Sequence, residues 1–403
     1  MDVFENDVLQ HLKTFPDWKL TMTVRVPIKR EILSWARERS RLSPEYLLNQ
    51  FPKMDAWERG ESHPTLKQLE KFARATHTPI GYLFLAEPPE ENLPIPDFRT
   101  IGSSGVARPT PDLLETVYLC QQRQEWYREY ARQNGEAPVP FIRTLTTNVA
   151  TADAASQIND LLSFHSGQRG SNWNEAFHRL LDQADSIGVL VMVSGIVGSN
   201  THRKLDPNEF RGFALVDELA PVIFINGADT KAAQIFTLVH ELAHLWLGES
   251  ALSDVDLSHT PNNAVEQWCN QVAADILVPR TELETMDLDR NHLPEELSRI
   301  AHKFKVSTLV ALRRIFEIGY ISLSKYQEYL NTELAHLREI MSEHTSGGGN
   351  FYNTQPARVS KRFARAVFVS ALEGQTLHRD ALRMLGIRKI STFHELGRHI
   401  GIM

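Results

Sequence analysis

Hydrophobic positions recur at helical spacing over a series of short segments near the start of the chain. Within residues 21–90 they predict five amphipathic helices, at 28–40, 44–51, 53–59, 65–76 and 80–85. Turn signals separate these helices, with Ser43 as a candidate N-cap and Gly60 as a candidate C-terminal stop. The pattern therefore predicts a compact helical bundle, followed by a proline-rich linker over residues 88–112.

Strand-like and helix-like patterns alternate between about residues 140 and 280. The run GVLVMV predicts a buried strand at 188–193, and two further strands are predicted at 213–216 and 221–225. Helices are predicted around these strands at 172–184, 230–247 and 263–278. Most of the remaining chain reads as helical, over 112–134, 293–344 and 356–400. The predicted fold class is α+β, mostly helical, with a small central sheet.

The bulk composition is that of an ordinary globular protein, with 42% hydrophobic and 23% charged residues. A net charge of −7 argues against a chain that coats nucleic acid or an anionic membrane over its whole surface. No secretory signal and no run of 18 apolar residues is visible, so we expect no membrane association. With only two cysteines, in no metal-binding pair, we expect a reducing compartment, the cytoplasm.

The run FTLVHELAHLWLG contains two histidines with the spacing of a helix-borne metal site. His240 and His244 differ by about 40° of rotation and about 6 Å of rise, so both imidazoles project from one helix face. Glu241 then lies beside the metal, where it can take a proton from the attacking water and pass it to a leaving amine. The alternative is a surface helix with two unrelated histidines, but an apolar stripe indicates a buried helix: Ile235, Leu238, Val239, Leu242 and Trp246.

Zinc takes a third protein ligand and leaves the fourth position for water. One arrangement places a third histidine ten residues after the first, but here that position is Ser250. The other takes a glutamate from a following helix, and Glu266 opens the segment EQWCNQVAADILVP. Asn270, one turn further along the same face, is a candidate hydrogen-bond partner for a ligand imidazole. The sequence thus favours Zn²⁺ held by His240, His244 and Glu266.

Three other side chains near this segment are alternatives to Glu266 as the third ligand. Asp275 lies about half a turn round the helix from Glu266, so a structural role is predicted. Cys269 lies about 60° away from the Glu266 face and is predicted to be a small core residue. His259 precedes the helix, either as a solvated loop histidine or as a group that stabilises an oxyanion. The strands within FALVDELAPVIFIN either form an ordinary core hairpin or offer an edge for substrate strand addition.

At this point the sequence resembles a known family, the ImmA/IrrE-type metallopeptidases fused behind an XRE-like helix-turn-helix. The resemblance is carried by PVIFINGADTKAAQIFTLVHELAHLWLG and EQWCNQVAADILVP. Further pieces lie in front, in AWERGESHPTLKQLEKFARATHTPIGYLFL and LPIPDFRT, and behind, in ELSRIAHKFKVSTLVALRRIFEIGYIS and the C-terminal tail. The resemblance implies a zincin fold, with His240, His244 and Glu266 as ligands and Glu241 as general base.

The resemblance also suggests a division of the chain. We expect an XRE-like helix-turn-helix at 21–90 and a linker with a long helix at 91–135. A zincin-like metallopeptidase domain follows at 140–285, then a helical extension at 286–345 and a C-terminal helical region at 350–403.

DNA binding by the N-terminal helices is the weaker part of this interpretation. The second helix of the motif would begin near Lys53, and residues 53–63 carry two basic and three acidic side chains, a poor phosphate-facing surface. The candidate DNA contacts are Lys53, Arg59, Arg39 and Arg41. Trp57 is instead predicted to lie in the core of the bundle.

The candidate zinc site, together with what the resemblance implies, leads to two expected functions from different classes. The first is a zinc-dependent regulatory endopeptidase that cleaves a protein such as a repressor, in an active or a latent form. The second is an antitoxin and transcriptional regulator that neutralises a PIN-like ribonuclease toxin, with the zincin domain as an interaction scaffold. The expected partners are a protein substrate or toxin encoded nearby, DNA through the N-terminal domain, and a second copy in a homodimer.

Overall fold

The computed structural model describes residues 25–98, 108–253, 263–343 and 351–402. These residues divide into two compact units. One contains the described residues up to Asn92 together with Arg108–Pro111, and the other contains the described residues of Leu93–Ala107 and Asp112–Met403. Among the described residues, no helix combines the length and the apolar character that a bilayer span requires.

The first unit is a bundle of short helices. They are α1 (Arg30–Ser40), α2 (Pro44–Gln50), α3 (Met54–Glu58) and α4 (Leu66–Ala75), followed by a 3₁₀ turn at Ile80–Phe84. Ser43 caps α2 by accepting a hydrogen bond from the amide of Tyr46, as its position predicts. Trp57 is buried, which confirms its predicted core role, and it packs with Ile32, Leu33, Leu69, Phe72 and Leu83.

The second unit is built around a small mixed sheet. Its strands are β1 (Leu190–Ser194), β2 (Gly212–Leu215), β3 (Val222–Asn226) and β4 (Ala251–Leu252), in the spatial order β1-β3-β2-β4. The β1 strand pairs with β3 in parallel, whereas β2 is antiparallel to both β3 and β4. Because β2 and β3 each have a strand on both sides, neither offers a free edge for substrate strand addition, which was one of the two alternatives in the sequence analysis. The edge on the β2 side is β4.

Helices cover both faces of this sheet, because successive side chains of each strand point to opposite faces. Ala214 and Ile223 point into one buried cluster, and Phe213 and Phe224 point into another. The first cluster is lined by α6 (Thr151–Leu162), α7 (Trp173–Ser186), α8 (Lys231–Leu247), α9 (Ala264–Leu277), α10 (Arg280–Glu284), α11 (Leu293–Phe304), α12 (Thr308–Glu317) and α13 (Leu323–Glu343). The second is lined by α5 (Pro111–Gln133), α14 (Phe351–Val359), α15 (Lys361–Leu372), α16 (His378–Met384) and α17 (Ile390–His399).

The mostly helical α+β class is confirmed, as is the small central sheet. Three of these elements were not predicted, namely α6, the short α10 and β4. The α6 helix escaped notice because its sequence, TADAASQINDLL, buries small alanines that give a weak apolar stripe. The β4 strand has two residues, too few for any alternation to be visible. The division into five segments that the resemblance suggested stays a prediction.

Candidate metal centre

The α8 helix carries the HELAH run and is defined at both ends by local interactions. The Thr230 hydroxyl caps its start by accepting a hydrogen bond from the Ala233 amide. Gly248 ends it in the left-handed region at φ 78°, where a Cβ would lie 2.1 Å from the Cγ of Arg143. Between these ends the helix is buried almost throughout, and three of its ionisable side chains have no exposed surface: His240, Glu241 and His244.

The α9 helix brings a carboxylate to the two histidines. Glu266 lies in its first turn and is fully buried. Its Oε2 is 3.2 Å from His240 Nε2 and its Oε1 is 3.0 Å from His244 Nε2. The two Nε2 atoms are 3.1 Å apart. The three residues predicted as zinc ligands therefore converge on one buried point, and each offers a donor atom within 4.8 Å of the others.

The donor set fits a zinc ion. Ligands about 2.0–2.2 Å from zinc in a tetrahedron are about 3.3 Å from one another, close to the distances observed here. The short distances join the Nε2 atoms, so these are the nitrogens directed at the shared point, while both Nδ1 atoms are buried without a hydrogen-bond partner among the described residues. Two imidazoles and a carboxylate also match the composition of catalytic zinc sites, which keep one position for water.

The electrostatics of the cluster favour the protonation states that bind a metal. Burial alone would raise the pKa of the Glu266 carboxyl, but the adjacent His240 and His244 outweigh it and hold that pKa well below its usual range. Burial lowers the pKa of His244, against the opposing effect of Glu266. Glu266 is therefore ionised and His244 neutral near pH 7, as metal ligands require.

Glu241 is positioned separately from the three converging side chains. Its Oε2 accepts a hydrogen bond of 3.0 Å from the hydroxyl of Ser253, which directly follows β4 and is itself buried. Burial, with the negative charge of Glu266 nearby, raises the pKa of Glu241 well above its ordinary value. A carboxylate with a raised pKa is a stronger proton acceptor, as a general base at neutral pH must be.

A glycine at the start of β2 allows α8 to approach the sheet closely. A Cβ on Gly212 would lie 2.6 Å from Cγ2 of Thr237, 2.9 Å from the Phe224 carbonyl oxygen and 3.2 Å from Oε1 of Glu241. Sequence reasoning missed both Gly212 and Ser253, since each meets Glu241 through a tertiary contact that no local spacing reveals. Both contribute to the position of the general base.

We expect Gly212→Ala to lower the free energy of unfolding by about 1–3 kcal/mol, because the added methyl overpacks a contact that includes backbone. The free energy is measured by urea denaturation of the full chain. Gly167→Ala is the matched control, since a Cβ there meets nothing within 4 Å. Equal stability of the two variants would contradict the close approach of β2 and α8.

The other residues named in the sequence analysis of the zinc site differ in their positions and roles. Asp275 bonds to the buried Arg314 at 2.8 Å, which confirms its predicted structural role, and Cys269 lies in the core. Ser250 directly precedes β4, and its hydroxyl accepts a hydrogen bond from the Val216 amide. Asn270 lies one turn beyond Glu266 on α9, and its role beside a ligand imidazole stays a prediction. His259 is outside the described residues.

Three of the four candidate DNA contacts make interactions within the first unit. The Arg39 guanidinium forms a two-pronged ion pair with Glu91 and donates to the His77 carbonyl, so it is not directed at solvent. Arg59 pairs with Glu61 at the surface, and Arg41 donates to the Arg108 carbonyl. Among the four candidates, Arg39 is a poor phosphate ligand because its guanidinium is largely buried and is paired with Glu91. The DNA-binding role stays a prediction for the others, Lys53 included.

Comparison with known families gives two matching family models. Residues 184–316 match the peptidase M78 family model, described as an IrrE N-terminal-like domain. Residues 359–399 match a second model, described as a domain of unknown function (DUF8813). Searches of curated proteins and of solved structures give no match. The M78 match extends from the end of α7 into α12 and includes His240, Glu241, His244, Ser253 and Glu266. The segment around the site is thus similar to a metallopeptidase domain.

Proposed function

We propose that the second unit is a zinc-dependent endopeptidase that cleaves a regulatory protein, such as a repressor. One observation carries the proposal: two imidazoles and one carboxylate converge in a fully buried centre, beside a second carboxylate held by its own hydrogen bond. Buried ionisable groups are costly unless they are paired or bind a ligand, so such a cluster indicates function rather than stability. The M78 match supports the same reaction class.

Each side chain has a distinct task in this proposal. His240, His244 and Glu266 would hold the zinc ion. When bound, the ion would supply Lewis acidity, polarising the scissile carbonyl and making a water more acidic. Glu241 accepts the proton of the attacking water on its carboxylate and delivers it to the nitrogen of the leaving amine. Ser253 donates to one oxygen of Glu241, and the other, Oε1, is buried without a hydrogen-bond partner among the described residues.

The proposal is tested by metal analysis and by cleavage of a peptide library. Purified full-length protein is expected to contain about one zinc per chain and to produce new peptide termini from a proteome-derived library, detected by mass spectrometry. Cleavage should stop with a chelator and return when zinc is added back. A protein that binds zinc but leaves the library intact, while binding a protein partner tightly, would instead support the scaffold function of an antitoxin.

We expect Ser253→Ala to lower kcat about tenfold, because a hydrogen bond to a charged group is worth about 1.5 kcal/mol. This bond lowers the pKa of Glu241, so its removal moves the acidic limb of the kcat/KM profile to higher pH. The readout is the pH profile of cleavage of one library peptide. Ser253→Thr, which keeps the hydroxyl, should restore both kcat and the profile. An unshifted profile in Ser253→Ala would show that the serine is merely structural.

A further inference from the structure

The edge of the sheet beside the metal centre is occupied by the chain itself. Residues 96–98 lie parallel to β4, with Asp97 opposite Leu252. The Leu252 amide donates to the Pro96 carbonyl, and the Phe98 amide donates to the Leu252 carbonyl, both at 2.9 Å. Both backbone groups with which Leu252 could bind an added strand are therefore already used. We call residues 93–98 the edge segment.

Side chains hold the edge segment against both faces of the sheet. Ile95 is 7% exposed and packs into the cluster that contains Phe213 and Phe224, with Leu93 beside it. Because an extended segment alternates its side chains, Phe98 points to the opposite face, where the metal ligands lie. Its ring centroid is 6.4 Å from that of His244. The edge segment thus contacts the metal centre as well as the edge.

The same edge is the place where a peptide substrate would bind. The β4 strand leads directly into Ser253, whose hydroxyl bonds to Glu241. A peptide that adds to β4 would consequently extend past the general base. Added strands obtain their affinity from main-chain hydrogen bonds, and here the outward groups of Leu252 would provide them. Such a peptide and the edge segment cannot be bound together.

We propose that residues 93–98 act as a resident, substrate-like strand that competes with substrate beside the metal centre, and that displacing it opens the β4 edge to an extended peptide. The inference rests on the proposed function and adds to it a class of substrate: an extended segment with an aromatic side chain at the position of Phe98, against His244. The occupant is an internal competitor, so substrate and partner proteins must exchange with it.

The details of the pairing suit a displaceable occupant. The edge segment runs parallel to β4, and parallel pairs are somewhat less stable per residue than antiparallel ones. Pro96 has no amide hydrogen and joins the edge through its carbonyl alone. Two main-chain hydrogen bonds hold the edge segment to β4, and they use the same Leu252 groups that a competing peptide would use.

The test compares Phe98→Pro with wild type and with Asn92→Pro, a proline control at an exposed position just before the edge segment. Phe98→Pro removes the amide that bonds to Leu252 and should release the segment. Hydrogen exchange of the Leu252 amide is expected to be at least tenfold faster in Phe98→Pro than in the other two proteins. Equal exchange in all three would overturn the resident strand.

A second measurement uses a fluorescein-labelled peptide of the edge segment's own sequence, LPIPDF, added to the zinc-loaded full chain. By fluorescence anisotropy, we expect Phe98→Pro to bind this peptide at least tenfold more tightly than wild type or Asn92→Pro does. Phe98→Pro should bind LPIPDA, the same peptide with alanine in place of its phenylalanine, more weakly than it binds LPIPDF. Ile95→Asp, which removes the buried anchor, should behave like Phe98→Pro. Equal binding by all four proteins would overturn the proposal. Neither readout depends on turnover, so failure of the peptidase function would appear separately, as an absence of cleaved library peptides in every variant.

Discussion

Replacement of Glu241 by glutamine is expected to reduce peptide cleavage about a thousandfold while zinc stays bound. General acid–base catalysis contributes about 10²–10⁴-fold, and glutamine has the shape of the carboxylate but cannot accept the proton. The three converging ligands do not include Glu241, so the metal content should be unchanged. The measurements are kcat/KM for one library peptide and zinc per chain by mass spectrometry.

The stability of the same variant provides an independent readout. The pKa of Glu241 is raised in the folded protein, mainly by burial, so its ionised form opposes folding above the ordinary carboxyl pKa. Glutamine is neutral at every pH, and we expect Glu241→Gln to unfold at an equal or higher urea concentration at pH 7. Glu249→Gln, a charge-neutralising change at an exposed position after α8, is the matched control for both activity and stability.

Two outcomes would contradict the role of Glu241. Undiminished cleavage in Glu241→Gln would mean that another group takes the proton. Loss of zinc together with activity would mean that Glu241 is itself a ligand. A chain that acts as a binding scaffold would instead retain its partner in Glu241→Gln with unaltered affinity, which separates the two functions in one experiment.

The helical parts of the centre could be predicted because their signals are local. A four-residue spacing fixes two imidazoles on one face, and a stripe of apolar residues marks α8 as buried. Glu266 could be selected by the same reasoning, applied to the face of the next helix. Its actual meeting with His240 and His244 depends on how α8 and α9 pack, which no spacing within either helix determines.

The parts that escaped prediction depend on contacts between distant segments. Ser253 meets Glu241 only because β4 pairs with β2, and β4 is too short to be visible in the sequence. Nothing in the neighbouring sequence marks Gly212 as important, because its role depends on the distant atoms that a side chain there would contact. The edge segment resembled a linker because two prolines interrupt it, yet Ile95 is buried and Phe98 reaches the site. Arg39 is the opposite case: in the sequence it is a candidate phosphate ligand, but in the fold its guanidinium pairs with Glu91.

Zinc removal is expected to lower the Tm of the second unit by about 10 °C. A ligand present at a thousandfold excess over its Kd stabilises the folded state by about 4 kcal/mol, and 1 kcal/mol shifts Tm by about 2–4 °C in a domain of this size class. In the metal-free protein the buried Glu266 carboxylate and the nearby Glu241 have no metal cation to balance their charge. This lowers the stability of the folded state further. Scanning calorimetry of the full chain with zinc and with a chelator measures the difference.

Glu266→Gln is expected to remove about two thirds of this dependence on zinc. An amide is a much weaker zinc ligand than a carboxylate, so we expect zinc affinity to fall about a hundredfold, and the stabilisation by zinc to fall from about 4 to about 1.4 kcal/mol. Glu249→Gln, which removes one negative charge outside the centre, should keep the full shift. A wild-type Tm that is the same with zinc and with chelator would contradict the metal centre itself. A Tm shift in Glu266→Gln as large as that of wild type would leave the two histidines as ligands and exclude the glutamate. Because calorimetry requires no turnover, it decides the ligand set even while the edge segment occupies the β4 edge.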